Sequence, residues 1–187
     1  MKREVFLCSA PRTEERVSIA RSIHEWWKAQ PVKLIILTPR SVGCDGFEFQ
    51  SIRRKIAESI SNADYIVADD DCLPMSDFEF GFEALASHQD FGIISAWPAN
   101  ASIARWTPED YIPFEDSKVR EVNDVGGIRV CRKGAMSKGW PPQTRKGYDP
   151  EHCQALRMAG YRVGYSLEFK MQHLGEGNSD LWAQLHT

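Results

Sequence analysis

The sequence lacks any apolar segment that approaches the roughly 20 residues needed to span a bilayer. It also begins without a targeting pattern, since Met1 leads directly into charged residues and a strand-like run. No CxxC pair occurs, and the five cysteines are scattered and odd in number, which favours reduced and mostly buried thiols. We therefore expect a soluble, cytoplasmic protein.

A strong charge of either sign is also missing. The formal net charge of -3 on 187 residues gives no general affinity for nucleic acid or anionic membranes, although basic residues crowd between Arg129 and Lys146. No internal repeat or low-complexity tract is visible. A chain of this length that is 42% hydrophobic can bury one substantial core, so we predict a single domain over 1–187.

The most informative stretch is a short apolar run that ends in three consecutive aspartates, Asp69, Asp70 and Asp71, with Pro74 close behind. The residues over 65–68 suit a strand that is covered on both faces. Adjacent carboxylates repel one another, so their place at the end of a buried strand indicates a hard divalent cation. A solvated acidic turn is the alternative.

The first 74 residues predict a β-α-β-α-β order. The pattern indicates strands over 4–9 and 33–38 ahead of the acidic strand, a helix capped by Thr13 between the first two, and a helix over 50–62 before the third. The charged face of that second helix, which carries Arg53, Arg54, Lys55 and Glu58, is expected to be solvated. Ligands of such a half-Rossmann unit bind beyond the carboxyl ends of the strands.

The remainder predicts a mixture of elements around a long loop. We expect a helix capped by Ser76, a strand over 91–97, a loop over 98–124, a strand over 124–131, a helix over 149–159 and a strand after Gly160.

Four segments resemble the family-two group of GT-A glycosyltransferases. Tyr-Ile-Val-Ala-Asp-Asp-Asp-Cys-Leu-Pro at 65–74 is similar to that family's strand and DxD motif, and 125–140 is similar to its acceptor-side strand, short helix and glycine-aromatic turn. The segment at 148–163 resembles its acid-bearing helix, and Gln-His-Leu-Gly at 172–175 resembles its closing histidine. The resemblance implies an α/β GT-A fold, with a Rossmann-like, mostly parallel central sheet flanked by helices, in which 1–97 binds the nucleotide sugar and 98–187 faces the acceptor.

The resemblance also implies a metal site. Asp71 matches the metal-ligating aspartate, and His173 matches a histidine that often completes the metal shell. Asp69 or Asp70 would then bind the ribose or share the ion through water. The cofactor is Mn²⁺ or Mg²⁺, and imidazole beside carboxylate suits Mn²⁺ better. A lone histidine is otherwise more often a surface or satisfied core residue.

A general base is implied at Asp149, which would take the proton of the acceptor hydroxyl and so give inversion at the anomeric carbon. The sequence departs from the family around this position, with Tyr148, Glu151 and His152 where the family has other residues. Glu151 is therefore a second candidate base. Asp149 could also serve only as the cap of the helix that follows.

The implied donor is a nucleotide-diphosphate sugar, with UDP preferred. Pro11, Arg12 and Thr38 follow the first two strands, where the family holds the base and ribose, and Arg54 aligns with a basic residue near the nucleotide.

The implied acceptor residues are Gly127, Trp140 and Tyr148. Such a small domain is typical of compact genomes, including phages, in which case it would work in the cytoplasm of the host cell. The acceptor is then a glycan or a hydroxymethylated pyrimidine in DNA, and the basic residues between Arg129 and Lys146 would suit a phosphate backbone.

Two other functions remain open. A sugar nucleotidyltransferase also pairs a Rossmann-like half with metal-binding acids, but normally has a glycine-rich phosphate loop where this chain has Ser9-Ala10-Pro11-Arg12. A catalytically inactive module that keeps the fold and binds a nucleotide is the other alternative.

Overall fold

The computed structural model describes residues 2–44, 46–99, 111–112, 119–135 and 148–174. The helices in these ranges are α1 (Glu14–Lys28), α2 (Pro39–Val42), α3 (Gly46–Ile60), α4 (Glu79–Ser87) and α5 (Tyr148–Met158). The strands are β1 (Glu4–Cys8), β2 (Lys33–Leu37), β3 (Tyr65–Asp69), β4 (Cys72–Pro74), β5 (Phe91–Pro98), β6 (Tyr111–Ile112), β7 (Val119–Val122), β8 (Arg129–Cys131) and β9 (Arg162–His173). None of the described helices combines the length and apolar character that crossing a membrane requires.

The described strands form one sheet in the order β2-β1-β3-β8-β5-β9-β7-β6, and β4 pairs separately with β9. β1 runs parallel to β2 and β3, and β5 runs parallel to β9. β8 is antiparallel to both β3 and β5, so β5 and β9 point in the same direction as β3. The carboxyl ends of β1, β2, β3, β5 and β9 therefore share one edge, which confirms the predicted α/β sheet with helices on its faces.

β3 lies inside this sheet and is covered on both faces, as the apolar run predicted. Ile66 and Ala68 belong to a core that α1 and α4 complete. Tyr65 and Val67 face the opposite core, which contains residues of α3 and α5. Since the strand itself is fully enclosed, only its last residues reach the edge of the sheet.

Helix α1 begins where the sequence predicted. Thr13 Oγ1 accepts a hydrogen bond from the backbone N–H of Arg16 at 3.2 Å, and Glu14 and Glu15 lie in the first turn, where carboxylates favour the helix dipole. The helix buries Ala20, Ile23 and Trp27 and brings its N-terminus to the carboxyl edge of the sheet.

The prediction that the charged face of α3 is solvated was wrong. Arg53, Arg54 and Glu58 are buried, with 5%, 3% and 7% exposure, whereas Ile60 is 48% exposed. These polar side chains can be buried because they find hydrogen-bond partners in the sheet. Tyr65 of β3, for example, donates its hydroxyl to Glu58 Oε2 at 2.7 Å. Hydrophobic periodicity assigns charged residues to solvent and so could not detect this packing.

Two boundaries also differ from the prediction. Ser76 does not cap α4, because its Oγ accepts a hydrogen bond from the N–H of Lys170 at 2.8 Å, and Asp77 accepts one from the N–H of Glu79 instead. β9 continues as one 12-residue strand to His173, so the strand expected after Gly160 extends through the segment that carries the closing histidine.

Candidate functional site

Strand pairing brings the acidic turn and the end of β9 together. Cys72 lies opposite His173 in the antiparallel pair of β4 and β9, and the N–H of Leu174 donates to the carbonyl of Asp71 at 2.7 Å. The pairing therefore fixes His173 beside Asp71 although about a hundred residues separate them in sequence.

Asp71 is the centre of this group. Its Oδ2 accepts hydrogen bonds from His173 Nε2 at 3.1 Å and from Arg16 Nη1 at 2.6 Å. Cys72 Sγ donates to the other carboxylate oxygen, Oδ1, at 3.4 Å. Burial by itself would raise the pKa of Asp71, but His173 and Arg16 outweigh that effect and hold the pKa below its ordinary value. Asp71 is therefore a carboxylate in the folded protein.

His173 responds to the same contact. Its hydrogen bond to Asp71 raises the pKa of the imidazole, and burial opposes that rise. The side chain is 32% exposed, in contrast to 4% for Asp71, so the histidine forms the outer side of the pair.

Asp70 is fastened to the loop that follows β1. Its Oδ2 accepts hydrogen bonds from Ser9 Oγ and from the N–H of Ala10, both at 3.0 Å. Burial raises the pKa of Asp70, the hydrogen bond from Ser9 lowers it, and Asp71 adds to the rise. The predicted convergence of the ends of β1 and β3 is thus present in the structure.

Asp69 is neutralised by two buried arginines. Arg53 Nη1 lies 2.7 Å from Asp69 Oδ1, and Arg129 Nη2 lies 3.2 Å from Asp69 Oδ2. Burial would raise the pKa of Asp69, but the charges of Arg53 and Arg129 prevail and lower it. Each carboxylate oxygen of Asp69 is thus paired with an arginine of the protein, whereas a residue that binds a ribose would keep an oxygen available for it.

Two further buried side chains, those of Arg54 and His152, interact electrostatically with the arginines that hold Asp69. Arg54 is buried, and burial together with the charges of Arg129 and Arg53 lowers the pKa of its guanidinium well below the ordinary value. His152 on α5 is also buried, and burial and the charges of the same arginines lower its pKa, so the imidazole is neutral. His152 therefore lies within electrostatic range of the arginines that hold Asp69.

Arg16, like the arginines that hold Asp69, is a residue of this site that sequence reasoning missed. It lies in the first turn of α1, and its guanidinium reaches both Asp71 and Asp70, with Nη2 3.4 Å from Asp70 Oδ1. The only signal in the sequence was its place near the start of the helix that follows β1. Nothing in the spacing relates it to aspartates more than 50 residues away.

The predicted donor residues after β1 and β2 lie on the same edge. Arg12 is exposed and Pro11 is partly buried. Thr38 caps α2: its Oγ1 accepts the N–H of Ser41 at 3.0 Å, and Ser41 Oγ accepts the N–H of Thr38 at 2.8 Å. Thr38 therefore has a local structural role, and its contact with a nucleotide stays a prediction.

The acceptor and base residues are described in part. Gly127 has a positive φ of 72° and lies against Met171 and Cys72, which places it directly behind the acidic turn. Glu151 is partly buried on α5. Tyr148 and Asp149 open the same helix, but only their backbone is described, and Trp140 lies outside the described residues.

The described arginines of the basic segment contact the protein itself. Arg129 is buried against Asp69, and Arg132 donates to the carbonyls of Leu85, His88 and Phe91. These contacts occupy both guanidinium groups inside the fold. Lys133 donates its Nζ to the carbonyl of Glu58. The other basic residues of this segment, Lys138, Arg145 and Lys146, lie outside the described residues.

The residues at the acidic turn fit a divalent cation. Asp71, Cys72 and His173 each bring one potential ligand atom to within 4.8 Å of the others, the one such group of three among the described residues. Arg16 already places a positive charge against two of the carboxylates, so a metal ion at Asp71 would have to displace that charge. A carboxylate with an imidazole suits Mn²⁺ better than Mg²⁺.

Sheet order, strand direction and the acidic turn at the carboxyl edge define a GT-A fold. Among solved structures, the chain is similar to TarS 1–349 from S. aureus, a GT-A-type glycosyltransferase. The structure of TarS in complex with UDP-GlcNAc gives a TM-score of 0.57 and 10% identity, covering 95% of this chain and 61% of that one. A second TarS 1–349 structure gives a TM-score of 0.54 and 12% identity, covering 91% of this chain and 59% of that one.

The chain thus spans about three fifths of the TarS structures it resembles. At these identities the likeness shows the fold alone. No family model matches the sequence, and no curated protein matches it. The comparisons give no support to the phage-type origin that the sequence analysis raised.

Proposed function

We propose that the protein is a metal-dependent glycosyltransferase that moves a sugar from a nucleotide-diphosphate donor, with UDP preferred, to a hydroxyl acceptor. The observation that carries this proposal is the pair of Asp71 and His173 at the carboxyl edge of a GT-A sheet, where the fold places ligands. TarS, which shares the fold, has been solved with UDP-GlcNAc.

Asp71 and His173 would hold the cation, with Mn²⁺ preferred. When bound, the cation would supply neutralisation of the charge that develops on the leaving diphosphate. Asp70, fixed by Ser9 and Ala10, would supply a second carboxylate on the same side. Asp69 is neutralised by Arg53 and Arg129 and would support the turn from behind.

Asp149 would act as the general base. It opens α5, the helix that resembles the family's acid-bearing helix. His152 of the same helix is buried, and the charges of Arg53 and Arg129, which hold Asp69, contribute to its lowered pKa. Glu151 is next to His152 in sequence and lies on a different face. The acceptor oxygen, once deprotonated, would attack from the side opposite the diphosphate and invert the anomeric centre.

Donor binding tests this proposal directly. Thermal melting is measured with UDP, GDP and their sugar conjugates, each with and without Mn²⁺, on the wild type and on Asp71→Asn. Asp90→Asn is the matched control, because Asp90 precedes β5 at the opposite edge of the sheet and its side chain is 53% exposed. Ligand at about 100 times its dissociation constant adds roughly 2.7 kcal/mol, which shifts the melt of a chain of this size by several degrees.

We expect a metal-dependent shift with one nucleotide that Asp90→Asn keeps and Asp71→Asn loses. The absence of any shift in the wild type at millimolar nucleotide would overturn the proposal. Hydrolysis of the nucleotide sugar then separates an enzyme from an inactive binding module, since a module would bind without turnover.

A further inference from the structure

Among the described residues, two partly exposed side chains contact the Asp71 carboxylate. One is His173, and the other is Arg16. Its Nη1 lies 2.6 Å from Asp71 Oδ2 and its Nη2 lies 3.4 Å from Asp70 Oδ1, so one guanidinium bridges both carboxylates. Because the aspartates are adjacent and nearly buried, the bridge compensates repulsion that the turn would otherwise carry. Arg16 thus occupies the side of Asp71 on which a divalent cation would be held.

We propose that Arg16 is a removable counter-ion: it holds Asp70 and Asp71 while the cation is absent, yields Asp71 when the cation binds, and then contacts the phosphates of the donor. This inference rests on the proposed function, because it concerns the same site. It makes Arg16 a positioning residue for both cation and donor.

Competition follows from the shared oxygen. Asp71 Oδ2 already accepts N–H groups from Arg16 and His173. A cation on that oxygen would meet the positive guanidinium at short range, where like charges in a partly buried site repel strongly. Arg16 and the cation therefore exclude each other at Asp71.

Arg16 is the partner that can move. Its side chain is 28% exposed, whereas those of Asp70 and Asp71 are 9% and 4% exposed. Asp70 is held by Ser9 and Ala10, and the backbone of Asp71 is held by Leu174. The aspartates are anchored on the sheet, whereas the arginine side chain is partly exposed.

The position of Arg16 favours the phosphates of the donor as the group that its guanidinium contacts after it leaves Asp71. Arg16 stands in the first turn of α1, whose N-terminus reaches the edge of the sheet beside the acidic turn. The planar guanidinium fork matches phosphate oxygens in a bidentate arrangement. An arginine displaced by the cation needs to move only to the next negative charge in the site.

Two binding measurements test the proposal on the whole chain. Mn²⁺ affinity is measured by calorimetry without nucleotide, and UDP affinity is measured at saturating Mn²⁺, for the wild type and Arg16→Gln. Arg21→Gln is the matched control, because Arg21 is an exposed arginine of the same helix and its removal changes the net charge equally. Melting in EDTA shows that each variant is folded, and Arg16→Lys serves if Arg16→Gln fails to fold.

We expect Arg16→Gln to bind Mn²⁺ about tenfold more tightly and UDP about tenfold more weakly than the wild type, as is typical for loss of one partly buried charged contact. A purely structural arginine would not give these opposite changes, and Arg21→Gln should leave both affinities within about twofold. Arg16→Lys keeps the charge but not the fork, so its changes should be smaller.

Equal Mn²⁺ affinity in the wild type and in Arg16→Gln would overturn the Arg16 proposal and leave the metal site standing. Absence of Mn²⁺ binding in both proteins would overturn it together with the metal site of the proposed function. Tighter Mn²⁺ with unchanged UDP would overturn the phosphate role.

Discussion

Gly127 offers a sharp test of the packing behind the acidic turn. A Cβ built at this position would lie 2.4 Å from Met171 Cε, 2.5 Å from Met171 Sδ and 3.3 Å from Cys72 Sγ. The residue also has a φ of 72°, which side chains other than glycine rarely adopt. Gly127→Ala therefore combines backbone strain with overpacking in a buried place.

The magnitude separates into two parts. Holding alanine in the left-handed conformation costs about 1–2 kcal/mol, and inserting a methyl group into a packed core costs about 1–3 kcal/mol. We expect the free energy of unfolding of Gly127→Ala to fall by about 2–5 kcal/mol, the lower part of this range applying if the end of Met171 can turn away. Met171 is 4% exposed, and its Sδ accepts the N–H of Ile128 at 3.4 Å, so that movement has a cost.

Gly134→Ala is the matched control. Its φ is 87° and an added Cβ would meet nothing within 4 Å, so it should lose only the backbone part, about 1–2 kcal/mol. Urea unfolding of both variants gives the two losses on one scale. Equal losses would refute the packing argument. A double variant with Met171→Ala should be non-additive by about 1–3 kcal/mol, because the truncated side chain leaves room for the new methyl group.

Two further predictions concern the acids. Asp69→Asn should lower the free energy of unfolding by about 3–5 kcal/mol, because it leaves Arg53 and Arg129 without their shared carboxylate. Urea unfolding measures this loss. A loss no larger than that of Asp90→Asn, at an exposed position, would contradict the prediction. If Asp149 is the base, Asp149→Asn should lower kcat by about 10²–10⁴ with donor affinity retained, whereas Glu151→Gln should keep most of the rate. Steady-state kinetics with the donor identified by melting decides between them, and the reverse order would assign the base to Glu151.

The first half of the fold could be predicted because its signals are local. The strand ending at Asp69, the cap at Thr13 and the apolar faces of α1 each follow from residues close together in sequence. The pairing of Asp71 with His173 was accessible only through the resemblance to a family. It depends on β4 and β9 meeting, which no local pattern specifies.

What the sequence could not supply is the set of charges that balance the acids. Arg53 and Arg129 reach Asp69 from 16 and 60 residues away, and Arg16 reaches Asp71 from 55 residues away. Periodicity treats an arginine on an amphipathic helix as a surface residue, so α3 was assigned the wrong exposed face. A buried carboxylate reverses that preference, because an ion pair is what makes either charge tolerable inside the fold.

The three consecutive aspartates show why these balances matter for function. Each acid has a different set of partners: Asp69 has two buried arginines, Asp70 has the hydroxyl and amide of the loop after β1 and shares Arg16, and Asp71 has Arg16 and His173. The side chains of Arg16 and His173 are 28% and 32% exposed, whereas those of Arg53 and Arg129 are 6% and 1% exposed, so Asp71 is where a charge can be exchanged without breaking the core. A site of this kind needs two fixed acids to hold the turn and one acid whose counter-charge can leave. Asp71 is the acid whose counter-charge can leave, because its partners are partly exposed.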